Sequence, residues 1–132
     1  MNQARQVFEF DQVGDVLIVV VNGPFMEFRD NDIRNAYNEA FRRLGEPDTR
    51  HLLVDFSNLD YFGSTFVGIL IRLARKARAK SGEAALCCLS IGMKEMLKSL
   101  MLLENPKVDF SLVPYATRLD AIEALAGKSP AV

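Results

Sequence analysis

Six aliphatic residues stand in an unbroken row, Val16-Leu17-Ile18-Val19-Val20-Val21, and no other feature constrains this chain as strongly. Side chains along a strand point alternately to opposite faces, so a run without a polar member must be covered on both. Such a strand lies inside a sheet with helices packed against it. The run is far too short for a membrane span, which needs ~20 apolar residues. Before it, Phe8 and Phe10 alternate with Glu9 and Asp11, the pattern of a half-exposed strand, and Gln12-Val13-Gly14-Asp15 supplies the turn between the two.

The remaining chain alternates helical and strand patterns. Asn22-Gly23-Pro24 breaks the strand. Asp30 or Asn31 then caps a helix running to about Leu44, with Ile33, Tyr37, Ala40, Phe41 and Leu44 at helical spacing and Gly45 and Pro47 as the stop. His51–Phe56 reads as a strand with His51 at its edge. Ser64 caps a helix from about Thr65 to Lys80, whose basic second half (Arg72, Arg75, Lys76, Arg78, Lys80) reads as a solvated helix end. Ala84–Leu89 is a short buried strand, Ile91–Leu103 an amphipathic helix, Val108–Val113 a last strand, and Arg118–Leu125 a helix capped by Thr117. After the opening pair the order is β-α-β-α-β-α-β-α, which predicts a mostly parallel sheet with one antiparallel edge strand and about four helices. No linker or repeat interrupts it, so residues 1–132 are read as one domain with a frayed tail from about residue 127.

Composition excludes several functions. The net charge is −1 with the signs interspersed, which argues against nucleic acid as a partner, since counterion release needs a basic face. The N-terminal residues lack the pattern of a signal peptide, so the expected location is cytoplasmic. The single histidine, His51, makes neither a zinc site nor a Ser–His triad, and no Gly-rich phosphate loop occurs. Cys87 and Cys88 are adjacent. Strand alternation sends them to opposite faces, as two small hydrophobes of a buried strand and not as a nucleophile or a disulfide. No enzymatic activity and no cofactor or metal are expected.

The stretch Leu59-Asp60-Tyr61-Phe62-Gly63-Ser64-Thr65-Phe66-Val67-Gly68-Ile69-Leu70 is the most informative for function. A serine at a helix start, just after a parallel strand, sits in the crevice at the sheet's carboxyl edge. Amides and dipole at a helix N-terminus tolerate an anion, so a phosphate on Ser64 would be accepted locally. Its charge of roughly −1.5 to −2 would still spoil an acidic or apolar partner surface. The competing reading makes Ser64 a plain cap, its hydroxyl holding a helix amide. Phe62 and Phe66 are either core residues packing the loop onto the sheet or contact residues of a binding surface, which Phe25, Met26 and Phe28 would extend.

Together, Leu52–Leu70 and the order of elements resemble a STAS domain, the fold of bacterial anti-sigma-factor antagonists, also found as the cytosolic tail of sulfate and other anion transporters. The hallmark of that family is a strand, a loop reading roughly Asp-Ser-Ser/Thr-Gly-Leu, and a helix. Here the loop is Gly63-Ser64-Thr65-Phe66-Val67 after the strand Leu52-Leu53-Val54-Asp55-Phe56. The resemblance implies that Ser64, with Thr65 as a second hydroxyl, is the position phosphorylated by a partner kinase. It further implies that Gly63, Ser64, Thr65, Phe66, Val67, Phe62 and Met26 face a switch-type kinase or an anti-sigma factor. The chain departs from the pattern in three places. Gly63 replaces the usual Asp, Phe66 replaces the usual Gly, and Met26 stands at a commonly acidic position. The alternative is a STAS scaffold that self-associates or binds related domains without phosphorylation, or a stand-alone domain of the anion-transporter type.

Overall fold

The aliphatic run is the second strand of a five-stranded sheet. The computed structural model describes residues 6–24 and 27–127. Its elements are β1 (Phe8–Val13), β2 (Val16–Val21), α1 (Asp30–Leu44), β3 (His51–Asp55), α2 (Ser64–Ala79), β4 (Ala84–Cys87), α3 (Ile91–Ser99), β5 (Val113–Tyr115) and α4 (Arg118–Ala126). The strands lie in sequence order, β1-β2-β3-β4-β5. β1 pairs antiparallel with β2 and the other neighbours are parallel. Four helices and a mixed sheet with one antiparallel edge match the architecture expected from the sequence.

Strand alternation divides the core in two. Leu17, Val19, Val21, Leu52, Val54, Ala84 and Leu86 face the larger cluster, with Ala40 and Leu44 of α1, Leu70 and Leu73 of α2, and Met93 and Leu97 of α3. Val16, Ile18, Leu53, Ala85 and Cys87 face the smaller one, covered by Ala121 and Leu125 of α4. Both faces of β2 are covered, with only Val20 partly exposed, which is why that strand carries no polar residue. Gly14 closes the hairpin at φ 57, a left-handed turn position that glycine adopts freely.

Several expected boundaries move. Arg29, not Asp30 or Asn31, holds the N-cap of α1, and Asp30 is its first residue. Of the apolar positions assigned to that helix, Ala40 and Leu44 are buried while Phe41 is exposed, beneath the Lys76 ammonium at 4.7 Å. His51 is fully buried and not at an exposed edge; its Nδ1 accepts a hydrogen bond from the Glu83 amide at 3.0 Å. β4 stops at Cys87, and α3 stops at Ser99, leaving Leu100 and Met101 exposed. The last strand is not Val108–Val113 but Val113–Tyr115. Phe110 and Leu112 are buried as loop residues of the larger cluster instead. Thr117 caps α4 as expected, its hydroxyl accepting from the Asp120 amide at 3.1 Å. The tail beyond residue 127 lies outside the described residues.

Candidate functional site

The chain leaves β3 at Asp55 and returns to the sheet side as α2, and the segment between them forms one wall of an open cleft of about 770 Å³. Three aromatic side chains hold that segment down. Phe56, Phe62 and Phe66 are each 1% exposed. Their ring centroids lie 5.1 to 5.8 Å apart, within the usual range for stabilising aromatic pairs. Phe8 of β1 meets Phe66 edge-on at 6.4 Å. Phe62 and Phe66 are therefore core, and Val67 is buried beside them. Phe62 and Phe66 nevertheless line the cleft with the little surface they keep. Met26 and Phe25 lie outside the described residues.

What the cleft exposes is different. Gly63, Ser64 and Thr65 line it, with Asp60 and Tyr61 from the preceding loop, Asp30 and Ile33 from α1, and Gly23 and Pro24 after β2. Ser64 and Thr65 are exposed, and Tyr61 is 63% exposed. Sequence reasoning passed over Asp30, Ile33, Asp60 and Tyr61. Asp60 and Tyr61 were within reach, being neighbours of Ser64 in the chain. Asp30 and Ile33 were not, because only the packing of α1 beside α2 brings them here.

Ser64 is not a cap. Gly63 occupies the N-cap of α2 with φ −104, without a side-chain cap hydrogen bond, and Ser64 is the first helical residue. Its hydroxyl is thereby released from the structural role that serine usually plays at this place. The first turn contains no acidic residue, and the amides of Ser64 and Thr65 precede the first i→i−4 bond, donated by Val67 to the Gly63 carbonyl at 3.2 Å. The basic end of α2 is engaged elsewhere. Arg75 pairs with Asp109 at 2.9 Å, and Lys80 donates to the carbonyls of Leu44 and Thr49. Arg72, Arg75 and Arg78 are exposed, as expected of a solvated helix end, and Lys80 is the residue drawn back onto the body of the protein.

At the other side of β3, Asp55 is 2% exposed and pairs with Arg118 of α4 at 2.8 Å. Its Oδ1 accepts from the Ser57 amide at 2.8 Å. Burial pushes the carboxyl upward, but the Ser57 amide and the Arg118 guanidinium outweigh it and leave Asp55 below the usual carboxylate range. Cys87 and Cys88, expected on opposite faces, both pack against the cluster beneath α4. The strand ends at Cys87, and Cys88 turns left-handed at φ 63.

The model of the STAS domain family matches residues 8–113. No curated protein matches the chain. Among solved structures, an anti-sigma-factor antagonist (STAS) domain protein from Planctomyces limnophilus superimposes with a TM-score of 0.72 at 21% identity, covering 90% of this chain and 97% of that one. A serine-to-glutamate variant of RsbS from Moorella thermoacetica gives 0.74 at 14% identity, over 92% and 96%. The Bacillus cell fate determinant SpoIIAA in its phosphorylated form gives 0.66 at 17% identity, over 89% and 97%. At these identities the structural likeness concerns the fold, and the family match spans most of the sequence. The chain belongs to the STAS-domain family.

Proposed function

We propose that this protein is a regulatory STAS domain of the anti-sigma-factor-antagonist kind, which docks a switch-type protein kinase or an anti-sigma factor on the Ser64 cleft and releases it when Ser64 is phosphorylated. One observation carries the reading. Ser64 is exposed at the mouth of a cleft, on the first turn of α2, with the N-cap position taken by Gly63. A serine freed from capping, on a base of buried aromatic rings, can be modified without unfolding what lies under it. Two structural neighbours, one described as phosphorylated and one carrying glutamate in place of serine, support the same reading.

The electrostatics favour a switch of this kind. Asp30 and Asp60 line the cleft, and Arg34 and Arg72 line the adjoining hollow that Ser64 and Thr65 also border. The two aspartates supply carboxylates beside Gly63, which stands where the family usually has Asp. A phosphate would add roughly −1.5 to −2 charge to that cleft and to the apolar ground offered by Ile33 and Tyr61. A partner segment seated there would have to desolvate the phosphate, which costs far more than desolvating a hydroxyl. The proposed role is regulatory, with no catalytic group assigned. Among the described residues no helix is long and apolar enough to cross a membrane. We read residues 1–132 as a single unit with this one role.

The test is a pull-down from lysate of the native organism with the wild type and Ser64→Glu as parallel baits, together with phosphopeptide mapping of the endogenous protein. The expected result is a kinase-like or anti-sigma partner held by the wild type and bound about 100-fold more weakly by Ser64→Glu, the scale of a few kcal/mol for misplaced charge in an interface. Identical partners for both baits, with Ser64 unmodified in cells, would overturn the switch. Retention of only further copies of the chain by both would favour the scaffold reading.

A further inference from the structure

Asp55 and Cys87 are register partners in the parallel pair β3–β4, so a carboxylate and a thiol stand side by side at the carboxyl ends of two central strands. Continued alternation would carry Cys88 to the other face of the sheet. Its φ of 63 keeps it on α4's side instead, half-buried, where it packs against the same cluster as Cys87. One carboxylate oxygen and two Sγ atoms thereby lie within 4.8 Å of one another. Both thiols are free.

We propose that Asp55, Cys87 and Cys88 form a binding site for a thiophilic d10 divalent cation of the zinc or cadmium type, with its fourth position filled by water. Zinc takes sulfur at ~2.3 Å and carboxylate oxygen at ~2.0–2.2 Å, so two sulfurs on one tetrahedral ion stand about 3.8 Å apart. The donors need close by no more than about 1 Å to reach that spacing, within the reach of side-chain rotation. Charge balances as well. Two thiolates and one carboxylate carry three negative charges, and a divalent cation with the Arg118 guanidinium carries three positive ones. Arg118, 2.8 Å from Asp55 Oδ2, and the Ser57 amide, 2.8 Å from Oδ1, fix the carboxylate from outside as partners of metal ligands commonly do. Solvent meets the donor set at Cys88, the one of the three that is not fully buried.

Loading the site releases protons, so binding strengthens as pH rises. Asp55 is also where the chain turns into the Ser64 loop, through its bond to the Ser57 amide. A cation at this place sits at the root of that loop.

The experiment is a titration of the reduced, metal-free full chain with Co2+ and with Cd2+, followed by thiolate-to-metal charge-transfer absorption and by the shift in melting temperature. The expected result is one equivalent bound with Kd about 1 µM or tighter, displacement of cobalt by zinc, and weakening as pH falls. Cys88→Ser, a change at a half-buried position, should lose part of the charge-transfer intensity and bind at least ~10-fold more weakly, while its metal-free form melts like the wild type. Asp55→Asn should bind more weakly with the charge-transfer intensity retained. Absence of saturable charge transfer at about a hundredfold excess of metal, far above the affinity such donor sets give, would overturn the proposal. So would Cys88→Ser binding as tightly as the wild type.

Discussion

Truncating Phe66 to alanine separates a supporting role from a contacting one. The Phe66 ring is 1% exposed and meets Phe62, Phe56 and Phe8 at centroid distances of 5.1, 5.8 and 6.4 Å. A buried phenylalanine removes roughly 150–250 Å² from water, which at ~25 cal/mol per Å² is about 4–6 kcal/mol before the part alanine retains. Measured Phe→Ala losses of ~3–5 kcal/mol, with their cavity contribution, agree with that range. The expectation for Phe66→Ala is therefore a loss of about 4 kcal/mol in urea denaturation and a fall in Tm of roughly 10–20 °C. Phe66→Leu keeps most of the volume and should lose only about 1.5 kcal/mol. A Phe66→Ala protein that melts within ~2 °C of the wild type yet fails to hold the partner would refute the reasoning. It would mean that the ring faces outward and that the loop is not anchored as described.

Two further substitutions probe the frame around the site. A Cβ at Gly82 would stand 1.8 Å from the Arg50 carbonyl oxygen and 3.1 Å from that of Ala77; both are backbone, so Gly82→Ala should lower the urea midpoint by the equivalent of about 3 kcal/mol. In the metal-free protein, Arg118→Ala strands the buried Asp55 carboxylate. The cost should be about 2 kcal/mol at neutral pH, below the ~3–5 kcal/mol of a fully enclosed pair because the Arg118 side chain is 39% exposed. The Asp55 carboxyl is held below its usual range in the fold, so its contribution is complete above the unfolded value of ~3.9 and lost as pH falls through the folded one. Denaturation midpoints measured from neutral pH into acid should consequently fall more steeply for the wild type than for Asp55→Asn; equal slopes would show that this carboxylate does not govern acid stability.

The sheet's centre was legible because its signals are local. Val16–Val21 has no polar residue, and Leu52-Leu53-Val54 is bounded by turn formers, so burial on both faces follows from composition alone. The errors gather where chain direction changes without glycine. Ser81, Cys88, Met101 and Glu104 all adopt positive φ, a conformation whose usual sequence mark is Gly or Asn. The end of α3 and the turn of Cys88 consequently leave no trace in the residue types. Val108, Phe110 and Leu112 alternate like a strand, yet they fill the larger cluster from a loop, and the true strand contains Pro114. For the site, Ser64 could be found from its loop, but its freedom could not. Whether Gly63 or Ser64 takes the N-cap is a matter of one residue in helix phase, which propensity does not resolve. The pair Asp55–Arg118 spans 63 positions of sequence and exists only because α4 returns across the sheet.

The margins of the sheet bear on how copies of this chain can meet. One edge is β5, three residues long with Pro114 at its middle and therefore one amide short. The other is β1, which carries Glu9 and Asp11. Short, proline-interrupted or charged margins are poor templates for strand addition. Backbone pairing would join any two sheets indiscriminately, and these margins discourage it at both ends. Recognition is left to side chains, where identity can be read and revised one residue at a time.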